Sequence, residues 1–150
     1  MQRRSFLKKA SVGVAAGAIA APAIAQSSPS VSWRMATSWP KSLDTLYGGA
    51  ELVCKRVAEI TEGKFQIRTF AAGEIVPATQ VLDAVQAGTV ECGHTPMYYY
   101  FGKDPAFSLA TCGLFGMNQR QNFAWWYFGG GAEAMAPLFK EYGCVGEKPE

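Results

Sequence analysis

The feature that most constrains this chain is an alternation of two hydrophobic periods. Val31, Trp33 and Met35 alternate with Ser32 and Arg34, the two-residue period of a strand. Leu46, Ala50, Val53, Val57 and Ile60 then recur at three- and four-residue steps, which is one face of a helix. Phe65, Ile67 and Thr69 return to the strand period. Val81, Leu82 and Val85 form a second helical face, and Thr89-Val90-Glu91-Cys92 reads as a short third strand. Strands separated by helical segments imply a parallel sheet with right-handed crossovers, because a helix returns the chain to the same end of the sheet. The reading is therefore an α/β fold with strands near 31–36, 64–70 and 89–93 and helices near 44–62 and 77–87.

Turn chemistry supports those boundaries. Thr37-Ser38-Trp39-Pro40 stops the first strand, since proline lacks the donor a ladder needs. Asp44 lies near the start of the first helix and Gly63 just past its end. Gly48-Gly49 in its first turn suggests close approach of another backbone or a ligand. Pro77 suits the first position of the second helix and Gly88 its stop. Phe107 to Phe115 reads as an apolar strand or loop returning under the sheet. Helices follow over Asn118–Phe128 and Ala132–Tyr142, with Gly129-Gly130-Gly131 between them. That glycine triplet follows no strand and lacks dinucleotide-loop spacing.

In open sheets of this kind, ligands bind beyond the C-terminal ends of the strands. One such end carries Cys92-Gly93-His94-Thr95-Pro96-Met97-Tyr98-Tyr99-Tyr100-Phe101-Gly102-Lys103-Asp104-Pro105. Three consecutive phenols cannot all face one core, so at least one ring points elsewhere. Tyrosine is a rigid contact residue with a hydroxyl handle. The stretch reads either as the mouth of a ligand cleft or as a surface-packed helical turn with one or two rings in the core.

The N-terminus addresses compartment. Met1-Gln2-Arg3-Arg4-Ser5-Phe6-Leu7-Lys8-Lys9 is basic, Ala10–Ala21 is mildly apolar, and Pro22-Ala23-Ile24-Ala25 ends in small residues. This order marks an export signal rather than a spanning helix. Arg3-Arg4 before Ser-Phe-Leu-Lys looks like a twin-arginine signal cut after Ala25. The whole chain has 14 Lys+Arg and 12 Asp+Glu, net +2. Arg3, Arg4, Lys8 and Lys9 lie in the signal, so residues 26–150 are mildly acidic. That gives no basic footprint for nucleic acid, and no later segment suits membrane insertion.

Four cysteines, Cys54, Cys92, Cys112 and Cys144, show no C-x-x-C spacing. Cys54 and Cys92 read as small buried hydrophobes. Cys92, His94 and Cys112 could share a metal, but a structural zinc site wants four well-spaced ligands. His94, the only histidine, reads as a hydrogen-bonded loop residue.

Taken together, several stretches resemble a known family. They are the twin-arginine start, Trp33-Arg34-Met35-Ala36-Thr37-Ser38-Trp39-Pro40, Tyr47-Gly48-Gly49-Ala50-Glu51, Ala72-Gly73-Glu74-Ile75-Val76-Pro77, Val85 to Cys92 and Tyr98 to Pro105. They are similar to TRAP transporter substrate-binding proteins of the DctP type, nearest to the branch that binds 2-oxo, pyruvate-like acids. The similarity runs from about Arg3 to about Tyr142.

The resemblance implies a non-catalytic receptor in the periplasm, with two periplasmic binding protein-like lobes, each a mostly parallel sheet flanked by helices. It implies a small carboxylic acid as ligand and sodium-driven TRAP permease subunits as partners. Residues 1–25 would be the signal, and 26–150 the first lobe, with the second lobe missing. The family's clamping arginine and the ligands of a sodium ion beside the acid would lie beyond residue 150, so no cofactor or metal ligand is expected in this chain. Relatives continue with a strand and a Gly-Asn-Thr-Gly-like turn, which Gly143 to Glu150 does not match. The substrate-binding candidates that carry over are Tyr99 and Tyr100, then Tyr98, with Trp39 as a further wall residue. Two other readings stay open: an exported cofactor-containing enzyme, and an ABC-type periplasmic receptor with a similar lobe. Against the enzyme stand the missing G-x-S-x-G, metal spacing and cofactor loop.

Overall fold

The structure, a computed structural model, describes residues 30–111 and 116–146. Its centre is a three-stranded parallel sheet in the order β2-β1-β3. Strand β1 spans Val31–Thr37, β2 spans Phe65–Phe70 and β3 spans Cys92–His94. Helix α1, Asp44–Ile60, crosses from β1 to β2. A single 3-10 turn, Ala78–Gln80, leads into α2, Val81–Gln86, which crosses to β3. The remainder is two 3-10 segments, Met97–Tyr100 and Pro105–Ala110, and helices α3, Gln119–Phe128, and α4, Gly131–Glu141. Among the described residues no helix is long and apolar enough to cross a membrane.

The helices cover opposite faces of the sheet. Register pairs Met35 with both Thr69 and Cys92, and Ala36 with both Phe70 and Gly93. Successive strand residues point to opposite faces. Tyr47 of α1 reaches Thr69 on one face (Oη to Oγ1, 3.5 Å). On the other face Ala36 is buried with Val81, Ala84 and Val90. A Cβ on Gly93 would lie 2.5 Å from Val81 Cγ1, so α2 packs directly on the β3 backbone. A second cluster, Leu82, Tyr100, Phe107, Trp126, Met135 and Phe139, joins α2 to the C-terminal helices.

Several sequence expectations shift. The buried stripe of α1 is Tyr47, Ala50 and Cys54, while Leu46, Val53 and Ile60 are exposed. A narrow sheet covers only a narrow stripe, and the small Ala50 and Cys54 let the helix approach it. Gly48 and Gly49 admit no close neighbour: a Cβ on Gly49 would meet nothing within 4 Å, and one on Gly48 only Asp44 of its own helix. Pro77 precedes the 3-10 turn in an extended conformation (ψ 154°) instead of opening a helix. Of the stretch expected as a strand or loop, residues 105–110 form a 3-10 segment that buries Phe107 completely, and residues 112–115 lie outside those described.

The third strand starts three residues later than expected. The N–H groups of Thr89 and Val90 donate to Ala84 O at 2.8 and 3.4 Å, closing α2 behind Gly88, whose φ is +67°. The Glu91 carboxylate then accepts the Arg34 N–H at 2.7 Å, taking the β1 donor that an earlier ladder would have used. Arg34 adds two side-chain bonds to the same carboxylate, at 3.2 and 2.7 Å. Cys92 therefore opens β3 half-exposed rather than ending it buried.

Candidate functional site

The strand order makes β1 the point where the chain reverses its direction of winding. One crossover leads to β2 on one side, the next to β3 on the other. Ligand sites in open α/β sheets lie beyond the strand ends at such a point. Here that position is held by Trp39, two residues past β1, by His94 at the end of β3, and by the 3-10 turn Met97–Tyr100.

Backbone and side-chain bonds fix these ends together. Ser38 N–H donates to His94 O at 3.0 Å, and Ala72 N–H to Trp39 O at 2.9 Å. The Trp39 indole Nε1–H donates to His94 Nδ1 at 3.0 Å. The two rings meet edge to face, 5.7 Å between centroids. Tyr99 leans on Trp39 at 6.4 Å and meets Tyr98 edge to face at 5.0 Å. Trp39, His94 and Tyr99 are half-buried and Tyr98 is exposed.

The three tyrosines thus take three environments. Tyr100 turns inward and is 1% exposed, against Phe107 at 5.9 Å. Its hydroxyl accepts the Leu82 N–H at 3.1 Å and lies 2.8 Å from Thr95 Oγ1. Thr95 Oγ1 is 2.6 Å from Ser38 Oγ, which donates to Ala78 O at 2.6 Å. A carbonyl only accepts and an amide N–H only donates. The Ser38 proton therefore goes to Ala78, Thr95 donates to Ser38, and Tyr100 donates to Thr95. Burial pushes the Tyr100 phenol up, so it keeps that proton. Tyr100 belongs to the support behind the wall, whereas Tyr99, Trp39 and Tyr98 lie on it.

Two lysines near the wall sit in ion pairs. Lys41 Nζ lies 2.5 Å from Glu74 Oε1, and Lys103 Nζ 2.6 Å from Asp83 Oδ1. Burial lowers the His94 pKa below the ordinary histidine value, which favours a neutral ring. Burial also pushes the Cys92 thiol up to about 11. Among the described residues, no three His, Cys, Asp or Glu side chains gather to hold a metal ion. Cys112, one of the cysteines weighed as a ligand, lies outside the described residues.

His94 lay in the stretch read as a possible cleft mouth but was not among the candidate contact residues. Its signal was its position, since it directly precedes Thr95-Pro96 at the end of the third strand. Without the Trp39 contact it read only as a loop residue.

Residues 35–146 match the model of the bacterial extracellular solute-binding proteins, family 7, known as DctP. The chain belongs to the DctP family. That membership decides between a DctP receptor lobe and the similar lobe of an ABC-type receptor. The chain is 51% identical, over 97% of its length, to a monocarboxylate 2-oxoacid-binding periplasmic protein of Nostoc sp., and spans 41% of that relative. A solved TRAP transporter solute-binding protein from Bordetella bronchiseptica, with calcium and picolinate, is 52% identical with a TM-score of 0.76. The match covers 79% of this chain and 35% of that one. Another from Pseudoalteromonas atlantica, with bound sodium and pyruvate, is 32% identical with a TM-score of 0.72, covering 76% of this chain and 35% of its own.

Proposed function

We propose that this chain supplies one wall of the cleft in a periplasmic, non-catalytic receptor that captures a small 2-oxo acid for a TRAP membrane permease. The observation that carries this reading is the Trp39–His94–Tyr99 wall at the reversal point of a DctP sheet. The Nostoc relative named for 2-oxo acids and the pyruvate-bound relative support the ligand class.

The wall offers ring faces and neutral hydrogen bonds. Tyr99 is the first contact residue, with Trp39 beside it and Tyr98 at the outer rim; Tyr100 acts from behind by holding Thr95 and Ser38. A neutral hydrogen bond contributes roughly 0.5–1.5 kcal/mol net of water. The loss of ligand freedom on binding costs several kcal/mol or more. Lys41 and Lys103 are paired with Glu74 and Asp83, and none of the wall side chains Trp39, His94, Tyr98 and Tyr99 is a lysine or arginine. A charge-assisted contact to the carboxylate, of the two-pronged kind that arginine makes, has to come from the facing part of the receptor. Closure of two lobes would then exclude water from these contacts.

Calorimetry with pyruvate and acetate tests the reading. The chain alone is expected to bind pyruvate at millimolar strength and acetate more weakly. Equal binding of the two acids would contradict a 2-oxo site. Micromolar pyruvate binding would show that this wall holds the whole site.

A further inference from the structure

The Trp39–His94 bond has a direction. An indole N–H donates and never accepts. His94 Nδ1, 3.0 Å away, must therefore present a lone pair. In a neutral imidazole the proton then sits on Nε2. Trp39 is itself held in place: its carbonyl accepts from Ala72 N–H at 2.9 Å, and its ring packs against Tyr99. His94 Nε2 has no hydrogen-bond partner among the described residues, and the ring is half-buried at the end of β3. The wall thus carries an imidazole locked as a donor.

A 2-oxo acid suits such a group. Its polar end holds only acceptors, the two carboxylate oxygens and the keto oxygen. In a 2-hydroxy acid the same oxygen can still accept from Nε2–H, but its hydroxyl proton needs an acceptor of its own, which an Nε2–H cannot be. We propose that His94 is a ligand-binding residue that donates Nε2–H to the keto or carboxylate oxygen, and that Trp39 is the positioning residue that selects this tautomer. The inference rests on the wall being the acid site, as proposed above, and adds to it a preference for 2-oxo over 2-hydroxy acids.

The chain has one histidine, so histidine-selective 15N labelling reports on His94 alone. At neutral pH the unmodified chain should show a pyridine-type Nδ1 and a pyrrole-type Nε2. A pyrrole-type Nδ1 would overturn the inference without any variant being made. Trp39→Phe keeps a ring but removes the N–H, and should give a mixture of tautomers with the far-ultraviolet spectrum retained. An unchanged tautomer in that variant removes the role given to Trp39. Pyruvate should shift Nε2 more than Nδ1, and lactate should shift it less. If pyruvate moves the Tyr99 and Trp39 signals but leaves Nε2 unchanged, the role of His94 is wrong while the wall stands. If pyruvate moves no signal at the wall, the site reading fails and the inference with it.

Discussion

The Tyr100 hydroxyl lies 2.8 Å from Thr95 Oγ1 and accepts the Leu82 N–H from its other side, so both of its hydrogen-bonding roles are filled inside the fold. The same chain of hydroxyls runs on through Ser38 to the Ala78 carbonyl. It ties the end of β1, the turn before α2 and the tyrosine turn into one unit. The residues behind the wall are thus bonded to one another.

Tyr100→Phe should therefore act on stability first. It leaves the buried Leu82 amide without its acceptor, while the Thr95 hydroxyl keeps Ser38. Losing one partner of a buried pair costs about 1–3 kcal/mol, which denaturant unfolding would read as a lower midpoint. Tyr99→Phe should leave the midpoint within about 0.5 kcal/mol, as for a surface substitution, and weaken pyruvate binding instead. The reverse pattern would put Tyr100 on the wall and Tyr99 behind it.

Gly93→Ala tests the packing of α2 on β3. The new Cβ would lie 2.5 Å from Val81 Cγ1 and 3.3 Å from Val85 Cγ2, and Val81 is fully buried. Overpacking of this kind costs roughly 1–3 kcal/mol. A variant as stable as the parent, by thermal or denaturant unfolding, would show that α2 stands further from the sheet.

Much of the fold was legible because it rests on period and order. Val31, Trp33 and Met35 against the three- and four-residue steps of α1 were enough to give parallel strands and helical crossovers. The α1 stripe was less legible: Leu46, Val53 and Ile60 fit the helical period, but the sheet covers Tyr47, Ala50 and Cys54. Which of two overlapping stripes is buried depends on sheet width, and composition does not carry that. At the site, three adjacent tyrosines showed that they must diverge. That Tyr100 turns inward depends on Leu82 and Thr95, which are 18 and 5 residues away. His94 was hidden for the same reason, because its partner Trp39 lies 55 residues earlier.

Two carboxyl and imidazole effects should separate along the pH axis. The Arg34 side chain and N–H hold Glu91 at about 2, below its ordinary value of 4.5. The folded state then binds fewer protons than the unfolded one between those values, so stability falls as pH drops through that window. Burial lowers the His94 pKa, so a second loss should begin just below the ordinary histidine value of 6.5. Unfolding midpoints from pH 8 to pH 2 should show both steps. Glu91→Gln should shrink the acidic step without abolishing it, since Lys41 and the Ala71 N–H also hold Glu74 below its ordinary value, and His94→Gln should remove only the upper one.

Export is tested at the other end of the chain, in residues outside those described. Replacing Arg3 and Arg4 together with lysine should leave the precursor in the cytoplasm, as cell fractionation would show. Normal export of that variant would leave a general signal in place of a twin-arginine one.

The most direct test of the wall is a chemical-shift map of the chain titrated with pyruvate. Two open grooves lie away from the wall: one is lined by Val31, Ile60, Thr61, Glu62, Lys64 and Phe65, the other by residues of α1 and β2 including Glu51 and Arg68. Shifts are expected to centre on Trp39, His94, Tyr98 and Tyr99 and to saturate at millimolar pyruvate. Shifts centred on either groove, with the wall unmoved, would contradict a site at the wall.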